Sequence, residues 1–90
     1  MKFEWDKTKA AINLSKHGVS FDEARTVFDD PLFVDFFDPD HSMKESRYII
    51  VGKSNHGRLL MVSYVEKDDT IRLISSRELT AGEHKAYEEG

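Results

Sequence analysis

Cysteine is absent from this chain of 90 residues, and proline occurs only twice. The absence of cysteine excludes disulfide bonds, a thiol nucleophile and a thiolate metal site, so stability has to come from packing, helix caps or a partner. No apolar run is long enough to cross a bilayer, and acidic residues follow Met1 too soon for a secretory signal. We therefore expect one domain, over residues 1–90, that works in the reducing cytoplasm.

The net charge of the chain argues against strong binding to nucleic acid, but its distribution does not. The formal charge is −4 at pH 7, whereas affinity for phosphate comes largely from lysine and arginine. Residues 1–46 contain six basic and ten acidic side chains, and residues 78–90 contain one and four. Residues 47–77 contain six basic and three acidic side chains, a net charge of +3. This middle segment is either a strand-rich region with solvated charges or an anion-binding face.

The first third of the chain predicts one strand and two helices. Residues 2–5 alternate polar and aromatic side chains, as in a short strand with one buried face. A helix is expected over residues 7–16, with an apolar stripe formed by Ala10, Ala11, Ile12 and Leu14. The S-x-x-E pattern that begins at Ser20 has the spacing of a capping box, so a second helix is expected from there to Pro31.

The remainder of the chain predicts an antiparallel meander and a short helix. Candidate strands cover residues 32–37, 47–52, 58–66 and 70–77, with polar turn segments between them. The last two are apolar on both faces, so we expect them at the centre of the sheet. A second capping-box pattern, T-x-x-E from residue 80, begins the final helix. The expected fold class is α+β: one strand, two helices, three or four further antiparallel strands and a C-terminal helix.

The spacing of histidine and aspartate gives little support for a metal site. His17, His41 and His56 are available to meet Asp38 and Asp40, but there is no H-x-x-x-H pair and no complete calcium loop. A G-x-S-x-G elbow, which would present a nucleophilic serine, is also missing. We therefore expect neither a metal nor a cofactor.

Cleavage of RNA requires fewer catalytic groups from the protein, because the nucleophile can be the ribose hydroxyl of the substrate. The protein then has to move two protons and stabilise negative charge on phosphorus, a task that suits arginine. The candidates are Arg58, Tyr64, Arg72 and Arg77, on two strands that a tight turn makes adjacent. A solvated strand end is the usual role of a single arginine, and a tyrosine such as Tyr64 is more often a core aromatic. Arg72 and Arg77 are an odd number of positions apart, so a shared site needs a bulge, a turn at the strand end, or a structural role for one of them.

Several stretches of the chain resemble the BrnT family in order and spacing. They are Phe3–Asp6, Lys16–Ala24, Phe28–Pro31, Arg47, Gly57–Leu60, Tyr64 and Ile71–Arg77. The likeness runs from residue 3 to about residue 83. Its most distinctive combination is the K-H-G-V-S-F run followed later by I-R-x-I-S-x-R.

The resemblance implies a RelE-like fold and a metal-independent ribonuclease toxin that cleaves RNA and blocks translation. It also implies neutralisation by a BrnA-like antitoxin that carries a DNA-binding segment, so the toxin would meet operator DNA only through the antitoxin. The residues implied are Arg58 and Arg77 as principal catalytic groups, Tyr64 and Arg72 in support, and Arg47 and Lys53 as RNA contacts.

A non-enzymatic interaction module is the competing interpretation. The aromatic-rich segment 33–37 would then dock a partner, and the arginines would be structural. Under the toxin interpretation, the acidic stretches are expected to attract a basic, DNA-binding partner. The two interpretations predict different effects of replacing the arginines. If the chain is a nuclease, alanine at Arg58 and Arg77 should abolish cleavage and leave the fold intact.

Overall fold

The computed structural model describes residues 1–90 and confirms the α+β class. In chain order its elements are β1 (Lys2–Glu4), α1 (Lys7–His17), α2 (Phe21–Ala24), a 3-10 helix (Arg25–Asp29), β2 (Val34–Asp38), a 3-10 turn (Pro39–His41), β3 (Arg47–Lys53), β4 (Leu59–Lys67), β5 (Thr70–Glu78) and α3 (Ala81–Glu89). None of the helices is long and apolar enough to span a membrane.

The five strands form one mixed sheet in the order β1-β5-β4-β3-β2. Neighbours among β2 to β5 are antiparallel, as predicted, and β1 lies parallel to β5 at the sheet edge. The central strand is β4, with β5 beside it, which agrees with the apolar character of both strands. At the opposite edge, β2 pairs only with β3 and has one free side.

Helices α1 and α2 and the first 3-10 helix pack on one face of the sheet, here called the inner face. The core consists of Val19, Phe21, Ala24 and Val27 from this layer and Ile50, Leu60, Val62, Tyr64, Ile71 and Leu73 from the sheet. Because side chains alternate along a strand, the residues between these core positions lie on the other side, here called the outer face. The outer face includes Val34, Phe36, Arg47, Ile49, Met61, Ser63, Val65, Arg72 and Arg77.

Helix α1 is attached to the sheet by an asparagine rather than by the predicted apolar stripe. Ile12 and Leu14 are 58% and 51% exposed, whereas Asn13 is buried. The Asn13 Nδ2 donates to the carbonyl oxygens of Val19 and Ser76, each at 2.9 Å, and its Oδ1 accepts from the Ser76 N–H at 3.0 Å. The prediction is confirmed for Ala10, which packs against the core, and was wrong for Ala11, Ile12 and Leu14, which are exposed. Turning Asn13 outward to bury them would leave its backbone partners unsatisfied.

The second predicted helix changes type after one turn. Ser20 is the N-cap, and its hydroxyl accepts from the Glu23 N–H at 3.0 Å, as the spacing indicated. However, α2 ends at Ala24 and the chain continues as a 3-10 helix to Asp29. The Glu23 carboxylate bonds to Arg58 instead of completing a capping box. The pattern therefore identified the start of the helix but not the role of its glutamate.

A β-bulge interrupts β5. The register against β4 passes over Ile74, which has no partner in the ladder. As a result, Leu73 and Ser76 are both buried although three positions separate them. An extra residue of this kind turns the rest of the strand over. Arg72 and Arg77 therefore both lie on the outer face, despite their odd spacing.

Candidate active site at a corner of the sheet

Two of the predicted catalytic arginines meet at the corner where β4 begins and β5 ends. Arg58 directly precedes β4, and Arg77 is the penultimate residue of β5. Both contact Glu78. The Arg58 Nη1 donates to the Glu78 carboxylate at 3.2 Å, and the Arg77 Nη1 donates to the Glu78 carbonyl oxygen at 3.2 Å. The two guanidinium groups thus approach one residue, Arg58 from the helix-covered side and Arg77 from the outer face.

Arg58 is held in a fixed orientation by Glu23. Its Nε and Nη2 donate to the two carboxylate oxygens of Glu23 at 2.9 and 2.5 Å, and Nη2 also donates to the Gly18 carbonyl at 3.1 Å. Glu23 is buried, and it also accepts from the Ser54 hydroxyl at 2.6 Å and lies 3.3 Å from the His56 Nδ1. The bonds from Arg58, and then from Ser54, lower the pKa of Glu23 to about 2 despite its burial. The same pair raises the pKa of Arg58.

Arg77 is paired with Glu83, the third residue of α3. Its Nη1 and Nη2 donate to the two carboxylate oxygens of Glu83 at 2.7 and 3.0 Å, and Nη2 contacts the Met61 sulfur at 3.3 Å. Glu83 also completes the predicted capping box with Thr80, whose N–H donates to the carboxylate at 2.9 Å. The bonds from Arg77, and then from Thr80, lower the pKa of Glu83 to about 2. One carboxylate therefore joins the start of α3 to Arg77.

A groove of about 600 Å³ opens beside Arg58. It is lined by Asp30, Leu32, Lys53, Gly57, Arg58, Leu59, Glu78, His84, Tyr87 and Glu88. Lys53, a predicted RNA contact, is exposed and forms no ion pair. The groove is therefore lined by an ammonium group as well as the Arg58 guanidinium, with the Asp30 carboxylate near enough for the charge of Lys53 to act on it.

His84 is a candidate that the sequence analysis missed. It lies one residue after Glu83 on α3, lines the groove, and places its Nδ1 3.3 Å from the Glu88 carboxylate. When Nδ1 carries the proton, this contact fixes the tautomer and leaves Nε2 available for proton transfer. The adjacent Tyr87 hydroxyl donates to the Leu32 carbonyl at 3.0 Å, and burial raises its pKa. The H-x-x-x-E spacing directly after the capping box is the signal that would have indicated this histidine.

Tyr64 lies away from the corner, within the core. It is 4% exposed, stacks on Tyr48 and meets the edge of Phe28. Its hydroxyl donates to the Asp35 carboxylate at 3.2 Å. Burial, and then the negative charge of Asp35, raises the pKa of Tyr64 far above its ordinary value. A phenol in this position is poorly suited to exchanging protons with a substrate at neutral pH.

Arg47 and Arg72 lie at the other end of the outer face from Arg77. Both are in register with Val65, on either side of it, so strand spacing puts their Cα atoms about 10 Å apart. The Arg72 Nη2 donates to both carboxylate oxygens of Glu45 at 2.6 and 2.7 Å, whereas the Arg47 Nε is buried without a partner. The two arginines and Trp5 line a second groove, of about 390 Å³. The structure thus brings Arg58, Arg77 and Lys53 to the corner and leaves the other three predicted residues elsewhere.

The groove at the corner is lined by one guanidinium group, one ammonium group, one imidazole and the carboxylates of Asp30, Glu78 and Glu88, and Arg77 lies outside its lining on the outer face. No set of three or more histidine and carboxylate side chains in the structure is close enough together to hold a metal ion. Guanidinium and ammonium groups bind phosphate oxygens, and an imidazole can move protons. The fold and the corner define a small α+β domain with a charged groove at one corner of its sheet.

Comparisons with known proteins place the chain in a family. Residues 5–83 match the family described as "Ribonuclease toxin, BrnT, of type II toxin-antitoxin system". The crystal structure of the Brucella abortus ribonuclease toxin BrnT is similar, with a TM-score of 0.65 and 22% identity over 89% of this chain and 97% of that chain. At this identity the likeness shows the fold alone. A search of curated proteins gave no match. On the family match, the chain belongs to the BrnT family of ribonuclease toxins of type II toxin–antitoxin systems.

Proposed function

We propose that this chain is a metal-independent endoribonuclease, RelE-like in its chemistry, that cleaves RNA at the corner groove. The observation that carries the proposal is that Arg58 and Arg77 both contact Glu78, a residue that lines the same groove as Arg58, Lys53 and His84. Two guanidinium groups close to one phosphodiester would stabilise the charge that develops during transfer. The volume of about 600 Å³ is within the range of roughly 300–1,000 Å³ that is typical of ligand sites.

The proposed reaction uses the 2′-hydroxyl of the substrate as nucleophile. His84 Nε2 takes the hydroxyl proton, and the 2′ oxygen attacks the adjacent phosphorus. The bond from phosphorus to the 5′ oxygen breaks, and the Lys53 ammonium gives a proton to the leaving oxygen. The products are a 2′,3′-cyclic phosphate and a 5′-hydroxyl. Arg58 and Arg77 hold the non-bridging oxygens throughout.

Substrate phosphate would have to compete with carboxylates that already occupy both arginines. For Arg58 the partner that gives way is Glu78, whose side chain is 57% exposed and which holds Arg58 through one contact of 3.2 Å. The buried Glu23 stays in place and keeps the guanidinium oriented. For Arg77 the partner that gives way is Glu83 on α3. These two exchanges would let a phosphodiester enter between the arginines.

The remaining predicted residues take supporting roles in this proposal. Arg47 and Arg72 would contact phosphates of the flanking RNA along the outer face, where the bulge at Ile74 aligns Arg72 with Arg77. Electrostatic contacts of this kind position the strand without selecting its sequence. Tyr64 would have a structural role, because its hydroxyl binds Asp35 and its ring packs in the aromatic core, and it would not contact the substrate.

A ribonuclease toxin of a type II toxin–antitoxin system has a protein antitoxin as its partner and RNA as its substrate. We propose that the antitoxin here is BrnA-like, that it carries the DNA-binding segment through which the pair binds operator DNA, and that cleavage in the cytoplasm inhibits translation. A non-enzymatic interaction module is the second candidate. It is favoured by the carboxylate partners of Arg58 and Arg77, which are what purely structural arginines would have.

Incubation of the purified chain with labelled single-stranded RNA in excess EDTA tests the proposal. We expect cleavage to 2′,3′-cyclic phosphate ends, and none when the scissile nucleotide lacks its 2′-hydroxyl. Alanine at Arg77 should slow cleavage by about 100-fold or more. Alanine at Arg25, which lies over the Phe3 ring at 5.6 Å, is the matched control and should have no effect. If the Arg77 and Arg25 variants cleave RNA at equal rates, Arg77 is not part of the active site. If RNA stays intact under all conditions, the interaction module is favoured.

A further inference from the structure

Strand β2 and the two residues before it form the largest cluster of exposed apolar side chains along the chain. Nine large apolar side chains are exposed, and five of them lie between Leu32 and Phe37, with exposed fractions from 41% to 76%. Because β2 pairs only with β3, its other side offers backbone N–H and C=O groups without strand partners. A free edge of this kind can accept a further strand.

The same edge is strongly acidic, and its strand contains no lysine or proline, although Asp35 points inward as charges that oppose pairing do. No lysine or arginine occurs between Arg25 and Lys44, whereas five aspartates do: Asp29, Asp30, Asp35, Asp38 and Asp40. Edge strands are commonly shielded from pairing by lysine or proline within the strand. Strand β2 contains neither, so its edge is open to a positively charged segment.

We propose that the β2 edge binds an extended segment of the antitoxin in which apolar and basic residues alternate, as a sixth strand of the sheet. The inference rests on the proposed function only in naming the antitoxin as occupant. Val34 and Phe36 lie on the outer face and Asp35 on the inner face. An added strand would therefore place apolar side chains beside Val34 and Phe36 and lysine or arginine beside Asp35.

A second copy of this chain fits the edge poorly. Symmetric pairing of two β2 strands would bring Asp35 and Asp38 of each copy close to those of the other, and each chain carries a net charge of −4. Like charges on neighbouring strands destabilise the pairing, whereas a basic segment gains from the same charges. Charge thus selects a basic partner over self-association.

Docking at this edge would also explain inhibition. Leu32, next to the start of β2, lines the corner groove and accepts the hydrogen bond from Tyr87. A segment bound along β2 that continues past Leu32 reaches the mouth of the groove. It would then obstruct the entry of RNA without touching Arg58 or Arg77.

The first experiment measures affinity for the antitoxin encoded beside this chain, by calorimetry on purified proteins. The double variant Val34→Thr/Phe36→Ser should raise the Kd at least about tenfold, as expected when apolar groups at an interface centre are removed. The control is Ile12→Ser/Leu14→Ser, which removes two equally exposed apolar side chains from α1 and should leave the Kd within about twofold. Equal Kd values for both double variants would overturn the proposal.

Three further measurements test the docking surface, and the first of them uses only the wild-type protein. In the wild-type protein, antitoxin binding should slow amide exchange within residues 33–38. Protection elsewhere alone would contradict strand addition. Asp29→Asn/Asp40→Asn should weaken binding at low salt, while Asp68→Asn/Asp69→Asn, on the β4–β5 turn, should not. Sedimentation of the free chain is expected to show a monomer, and a dimer that Val34→Thr/Phe36→Ser dissociates would favour the second copy.

The outcomes separate this inference from the nuclease proposal. If the free chain cleaves no RNA but the β2 variants lose the antitoxin, the docking surface stands and the nuclease proposal fails. If RNA is cleaved at the corner and the β2 variants bind the antitoxin like the wild type, only the docking inference fails. Free Val34→Thr/Phe36→Ser should cleave RNA at the wild-type rate.

Discussion

Arg58 donates two hydrogen bonds to the buried Glu23, and this pair joins α2 to the start of β4. The same guanidinium borders the corner groove. Arg58 therefore supports the fold and, in the proposed function, the reaction as well. The expectation that alanine at Arg58 leaves the fold intact has to be revised, because Glu23 would remain buried with only Ser54 and His56 as side-chain partners.

Arg58→Ala is expected to destabilise the protein by about 2–3 kcal/mol. Removing one member of a buried ion pair costs about 3–5 kcal/mol, and the 30% exposure of the Arg58 side chain places this case at the lower end. Glu23→Gln in the same chain should recover more than half of the loss, because the uncompensated charge is gone. Urea unfolding measures both. If Arg58→Ala unfolds like the wild type, Glu23 is solvated and the pair has no structural role. Cleavage is best assayed in the double variant.

Acid should weaken the fold over a defined pH range. The pKa of Glu23 is about 2 in the folded protein and ordinarily 4.5, so its contribution to stability is complete above pH 4.5 and is lost as the pH falls towards 2. Glu83 has the same lowered pKa and adds to the effect. Each carboxylate contributes a slope of at most about 1.4 kcal/mol per pH unit. Urea unfolding between pH 6 and 3 should show a shallower decline for Glu23→Gln than for the wild type. Parallel curves would contradict this assignment.

His84→Ala should reduce the rate of RNA cleavage about 100-fold, the usual effect of removing a general base. Its fold should be unchanged, since His84 is exposed. Single-turnover kinetics gives the rate, and thermal unfolding checks the fold. His41→Ala is the matched control, because His41 is also exposed and has a carboxylate partner, Asp38, at 2.9 Å. Equal rates for the two variants would remove His84 from the proposed reaction.

Glu83→Gln should tighten RNA binding about two- to fivefold, since an exposed ion pair is worth up to about 1 kcal/mol. Glutamine retains the capping box but no longer competes with phosphate for Arg77. Fluorescence anisotropy with RNA that lacks the scissile 2′-hydroxyl measures binding without cleavage. Glu89→Gln changes the charge of α3 by the same amount on an exposed residue. If the two variants bind RNA equally well, the tighter binding comes from the change in total charge and not from release of Arg77.

Much of the fold could be predicted because its signals are local. The apolar character of β4 and β5, the caps at Ser20 and Thr80 and the turns between strands all depend on neighbouring residues. The parallel pairing of β1 with β5 and the inward position of Asn13 could not be predicted, because both depend on backbone groups more than 60 residues away along the chain. A local pattern of residue types does not indicate partners that are so distant along the chain.

The candidate site was predictable only in part, for the same reason. Residue type made Arg58 and Arg77 candidates together with Tyr64 and Arg72, and only the resemblance to the BrnT family ranked them first. The bulge at Ile74 places Arg77 on the outer face of the sheet. The alternation of polar and apolar residues along β5 does not indicate this bulge. The burial of Tyr64 depends on Phe28 and Tyr48, which reach it only after folding. His84 was overlooked because its helix was considered only as a boundary of the fold.

The pairing of β1 with β5 has a consequence for how the protein is made. The Lys2 N–H bonds to the Asp69 carbonyl at 2.8 Å, and Phe3 is in register with Ile71. Contacts between such distant residues form late and slow the folding of a small domain. During translation, β1 cannot pair until β5 has left the ribosome, and β5 belongs to the last quarter of the chain. The same quarter contains Arg77 and His84. Under the proposed function, a polypeptide aborted before that point would be released without a working groove and would be harmless to the cell that made it.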